Sequence, residues 1–73
     1  MTKKHFEAIA KVLSRSIGSA ERIDNDDESA NTLILLSNLV KALEYEFEEF
    51  NPNFNAYTFR EATGINQATK ELF

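Results

Sequence analysis

The sequence contains no cysteine and no tryptophan, and only one histidine, one proline and two glycines among 73 residues. Without cysteine there is no disulfide framework, no thiol nucleophile and no Cys/His zinc cage, the staples on which many chains of this size depend. The scarcity of glycine and proline argues against a sheet built on tight turns and favours helices. No apolar run approaches the roughly 18 residues of a membrane span. The start Met-Thr-Lys-Lys-His leads into an amphipathic segment rather than a signal-peptide core, so a cytoplasmic protein with no membrane contact is expected. So short a chain supplies a single core, hence one domain over residues 1–73. Its apolar content of 42% suffices for that core, but a core of this size is marginal and needs close packing or self-association.

What is present is charge, and it is segregated. Residues 1–22 carry five basic and two acidic groups, residues 23–59 one and eight, and residues 60–73 two of each, for a net charge of −4. A basic stripe of Lys3, Lys4, Lys11 and Arg15 raises nucleic-acid binding as an alternative function. The acidic total repels phosphate at range and disfavours it, unless two copies in a dimer combine their stripes.

Phe6, Ile9, Ala10, Leu13 and Ile17 recur at helical spacing, which predicts a first helix over about 3–17, capped by Thr2 and stopped by Gly18. Residues 18–26 lose the period and gather acids, a linker whose last carboxylates favour the dipole of the next helix. Asp24, Asp26 and Glu28 alternate as in a calcium loop, but Ser29 stands where that loop requires glycine and Leu35 where it requires a bidentate glutamate.

A long second helix follows over about 27–50. Leu33, Leu36, Val40, Leu43, Phe47 and Phe50 form a heptad seam, widened by Leu35, Leu39 and Ala42 to nearly half the circumference. An arc that wide exceeds what one short hairpin covers, which predicts a homodimer through this helix. Ile34 and Tyr45 lie off the stripe and are candidates for an exposed contact. Glu44, Glu46, Glu48 and Glu49 crowd the C-terminal turns, where the dipole prefers cations and each carboxylate loses roughly 0.3–1 kcal/mol. Two readings fit these acids: a solvated face paired with Lys4, Lys11 or Arg15, or a surface for a basic partner.

Asn51-Pro52-Asn53 ends the long helix. Asn55 as N-cap, Phe54 and Phe59 as a hydrophobic staple and Gly64 as a stop then pin a third helix over about 56–63, with Ile65 folding back on Phe59. The tail over 65–73 forms a last turn or two capped by Asn66 and ending in apolar Leu72 and Phe73, or frays. Tyr45, Phe47, Phe50, Phe54, Tyr57 and Phe59 concentrate at the bend, with no basic residue between Lys41 and Arg60, so base stacking along a phosphate backbone is disfavoured. Core packing is the first reading of this cluster, and an acidic-aromatic contact site is the second.

Residues 1–13, Met-Thr-Lys-Lys-His-Phe-Glu-Ala-Ile-Ala-Lys-Val-Leu, and 51–64, Asn-Pro-Asn-Phe-Asn-Ala-Tyr-Thr-Phe-Arg-Glu-Ala-Thr-Gly, resemble a group of very small proteins from bacteriophages and prophages. There, too, a Lys-rich start with an Ile-Ala pair leads through a long helix to an Asn-Pro-x-Phe-Asp/Asn segment closing in a short helix. The acidic linker and the tail depart from that pattern. The resemblance implies a phage accessory protein acting on a host protein, and it carries over no catalytic residue.

No chemistry-bearing constellation emerges. His5 has no second histidine at i+4 and no serine or cysteine partner placed beside it by spacing, the acids sit on a linker and a helix flank, and the two glycines stand alone rather than in a phosphate loop. The sequence predicts an all-α hairpin-plus-cap of three helices, without catalytic, cofactor or metal site. Its expected role is to bind and modulate a host protein through Ile34, Tyr45, Glu46, Glu48, Glu49 and Tyr57.

Overall fold

The computed structural model describes residues 2–72, so Met1 of the N-terminal frame and the apolar end residue Phe73 lie outside the described residues. Helix α1 spans Lys3–Glu21, α2 Asp26–Phe50, α3 Ala56–Thr63 and α4 Ile65–Ala68, with no strand among the described residues. The fold is all-α.

The first helix starts where its sequence says. Thr2 is the N-cap, and its backbone N–H donates to Nδ1 of His5 at 3.0 Å, so the one histidine serves as the reciprocal half of a capping box. The predicted stop at Gly18 is wrong: α1 runs through it to Glu21, and the linker shrinks from 18–26 to residues 22–25. Among the described residues only Gly64 has a positive φ. Extending α1 by one turn adds buried Ala20 to the stripe of Phe6, Ala10, Leu13 and Ile17, and this gain outweighs the entropic cost of one helical glycine. The end is instead made by tight bonds from the N–H groups of Arg22 and Ile23 to the carbonyls of Ser19 and Ala20.

Asn25 caps α2 by accepting from the Glu28 N–H at 3.0 Å, and Asp26, Asp27 and Glu28 fill the first turn where the dipole favours them. Ser29 then donates its hydroxyl to the Ala20 carbonyl at 2.8 Å, tying the start of α2 to the end of α1. At the other end Phe6 stacks on Phe47, their ring centres 4.9 Å apart. The two helices are therefore antiparallel, as the charge and apolar patterns imply.

Asn55 accepts from the Thr58 N–H at 3.0 Å, and the stapled rings of Phe54 and Phe59 lie 5.5 Å apart, so the third helix forms as its punctuation predicts. It does not simply cap the hairpin. Its most extensive packing is against α1, and α3 with α4 makes a broken third leg running back beside it: Phe54 meets Phe6 near the start of α1, while Ala68 and Leu72 share a hollow with Glu21 at its end.

The break in that leg is specific. At Gly64, φ is +78°, and its N–H donates to the Glu61 carbonyl. The second bond usual at such a stop, from Ile65 N–H to the Arg60 carbonyl, is relayed by the buried Thr63 hydroxyl, which accepts from Ile65 at 3.2 Å and donates to Arg60 at 2.7 Å. Asn66 is not a cap: α4 begins at Ile65, and the Asn66 amide donates to Glu61.

Phe6, Phe47, Phe54 and Phe59 form the heaviest part of the core, with ring centres 4.7–5.5 Å apart in tilted or edge-to-face pairs. Each such pair adds about 0.5–1.5 kcal/mol beyond area burial. Leu33, Val40 and Phe47, one heptad apart, line the buried edge of α2, flanked by half-buried Leu36 and Leu43. The wider stripe is not buried: Leu35, Leu39 and Ala42 are exposed, as is Phe50 at 74%. Two neighbours cover about half of α2, because the third leg is short and lies mainly on α1. No described helix is long and apolar enough to cross a membrane.

Candidate functional site

The aromatic and acidic concentration at the bend divides into two sets. Phe47, Phe54 and Phe59 turn inward with Phe6, whereas Tyr45, Phe50 and Tyr57 stay outside, Tyr45 at 65% and Tyr57 at 72% exposure. The core-packing reading holds for the first set, and the second set is exposed.

The acids divide as well. Glu44 is buried, and its Oε2 takes two bonds from Arg60 of α3, Nη2 at 2.6 Å and Nε at 3.0 Å. This is the one ion pair among the described residues. It locks α3 to α2 across sixteen positions, so Glu44 belongs to the fold and not to a contact surface. Glu46, Glu48 and Glu49 are exposed with no cation in bonding reach among the described residues, and the expected pairing with Lys4, Lys11 or Arg15 is not made.

The predicted partner-binding residues are only partly brought together. At about 100° per residue, Tyr45 has Glu48 about 60° to one side and Glu49 about 40° to the other, and Glu46 lies about 60° beyond Glu49, in line with Leu35 and Leu39. Because Arg60 pairs with Glu44 and α3 runs antiparallel to α2, Tyr57, one turn before Arg60, comes level with Glu48, one turn after Glu44. Ile34 is on the Tyr45 flank but about 16 Å toward the other end, and at 39% exposure it is less open than Tyr45 and Tyr57. The compact patch is Tyr45, Glu48, Glu49 and Tyr57.

The basic residues also separate. Lys4, Lys11 and Arg15 are exposed and fall within about 40° of one another on α1, a straight row. Lys3 sits about 100° away, on the rim of a groove of about 410 Å³ between α1 and α3. The groove has Phe6, Ala10, Phe54, Phe59 and Ala62 as an apolar floor, and Glu7 and Thr58 join Lys3 along its edge. Sequence reasoning missed this groove, because it arises from the third leg lying along α1.

Among the described residues no three His, Asp or Glu side chains converge on a point where a cation could sit. The acids of the patch are aligned for long-range attraction and contact with cationic groups, with two phenol rings for packing. The sequence leads to the expectation that one copy leaves part of the wide α2 stripe uncovered, and the structure shows that part to be Leu35, Leu39, Ala42 and Phe50. Their only signal was the excess width of the apolar stripe. No protein-family model matches this chain, and neither a curated protein nor a solved structure matches it.

Proposed function

We propose that this chain is a non-enzymatic binding protein that engages and modulates a partner protein bearing a basic surface. The observation carrying this reading is the pair of exposed tyrosines, Tyr45 and Tyr57, set among carboxylates at Glu48 and Glu49 that have no cation of their own. Tyrosines bring large contact area at little rotamer cost, and unpaired acids steer a cationic partner and fix its orientation. The end of α2 carries no basic residue in its last turn, so the helix dipole adds to the negative field there. The resemblance to small phage proteins supports a host protein, of defence or transcription machinery, as that partner, and cytoplasm as the place of encounter.

Capture from a bacterial host lysate on immobilised protein tests this. A specific partner released by salt, and lost when Glu48→Lys and Glu49→Lys are combined with Tyr45→Ala, supports the reading. Retention of every partner by that triple variant, with helicity intact by circular dichroism, overturns it. The second reading, nucleic-acid binding, draws on the exposed row Lys4, Lys11 and Arg15, with Lys3 to one side. It requires salt-dependent retention of DNA or RNA, and no retention at low salt eliminates it.

A further inference from the structure

Two outward faces of this molecule match each other in length and are opposite in charge. On α1, Lys4, Lys11 and Arg15 are exposed and line up within about 40°, with exposed Ala8 and Val12 beside them. Exposed Arg22, the residue just past the helix, continues the row, its side chain folded back so that Nη2 lies 3.4 Å from where a β-carbon on Gly18 would be. On α2, Glu28 and Glu46 bracket the uncovered apolar stripe of Leu35, Leu39 and Ala42, all exposed. Lys4 to Arg22 and Glu28 to Glu46 are each eighteen positions apart, about 27 Å along a helix. Laid together in either direction, the two faces set a cation against each terminal glutamate. The same register rests Leu35 and Leu39 on Val12 and the alkyl stems of Lys11 and Arg15.

The alternative of α2 pairing with α2 of another copy fails on charge. Parallel, it sets Glu28 against Glu28 and Glu46 against Glu46; antiparallel, Glu28 against Glu46. Like charges meet at both ends in each case, and like-charge juxtaposition works against association.

We propose that the chain self-associates head to tail, the basic face of α1 in one copy covering the acid-bracketed apolar face of α2 in the next. Each face points away from the axis of its own bundle, so one neighbour cannot occupy both, and the contact is heterologous: it propagates into a ring or a short filament instead of closing as a two-fold dimer. The covered face is a different flank of α2 from that of Tyr45 and Glu48, which stay open in the assembly, whereas Glu49, seven positions after Ala42, lies at the edge of the covered face.

Sedimentation velocity on the full chain tests it with two variants confined to exposed positions. Lys11→Glu with Arg15→Glu disables the α1 face, and Leu35→Asn with Leu39→Asn disables the α2 face. The wild type is expected to grow with concentration and shrink with added salt, and each variant alone to be monomeric. An equimolar mixture of the two variants joins one intact α1 face to one intact α2 face and stops at a 1:1 dimer. A wild type that stays monomeric throughout the concentration series overturns the proposal. So does an α1-face variant that still associates alone, which indicates α2–α2 pairing, or a mixture of variants that stays monomeric. Association of the wild type only when nucleic acid is present also overturns it and assigns the basic row to that ligand.

Discussion

The stretches around Gly18 and Gly64 both place a lone glycine behind an amphipathic run, yet the backbone passes straight through the first and reverses its hand at the second. The difference lies in what each neighbourhood gains. Continuing past Gly18 keeps Ala20 on the stripe of Leu13 and Ile17 and brings its carbonyl to the Ser29 hydroxyl. Continuing past Gly64 would carry Ile65 to the side of α3 away from Phe59 and Thr63. The left-handed turn swings it inward instead, to 2% exposure. A glycine permits a stop, and the apolar residue beyond it decides whether the stop is used.

The contrast can be broken from either side. The largest effect is expected from Gly18→Pro, which removes a helical N–H and clashes with the preceding turn, for a loss of roughly 3 kcal/mol or more in urea denaturation. Next comes Thr63→Val, which keeps the shape but removes the hydroxyl relay at the other glycine, leaving the Ile65 N–H buried without a partner. A loss of about 1–3 kcal/mol is expected, with faster amide exchange at Ile65. The finest comparison is glycine to alanine at both positions. At Gly64 the space for a methyl is open, so the cost of about 1–2 kcal/mol is purely that of a left-handed alanine. At Gly18 the added methyl meets only the movable end of Arg22, and a gain of about 0.5–1 kcal/mol is expected. Opposite signs in paired thermal melts support the contrast; equal signs abolish it.

Local signals made much of this molecule readable. The spacing of Phe6, Leu13 and Ile17, the cap at Asn55 and the staple of Phe54 with Phe59 are each written within a few residues, and each holds in the structure. What escaped the sequence depends on distant partners. Glu44 looks like its neighbours until Arg60, sixteen positions away, claims it. Leu35 and Leu39 look like core until the third leg proves to lie mainly along α1. The candidate patch was legible as a composition of acids and aromatics. Its division into inner rings and outer tyrosines was not, because that is decided by which face of α2 receives α3.

The four-ring cluster also constrains when this protein can be complete. Phe6 touches Phe54, and both touch Phe47, so the rings that weld the bundle come from near the start of the chain and from well into its last third. A nascent chain that has produced only α1 and α2 has Ser29 to join one end of the hairpin and only the Phe6–Phe47 pair at the other. The weld waits for Phe54 and Phe59 to be made and for a long loop to close. In synthesis, then, the structure sets last the contacts that involve some of its first residues.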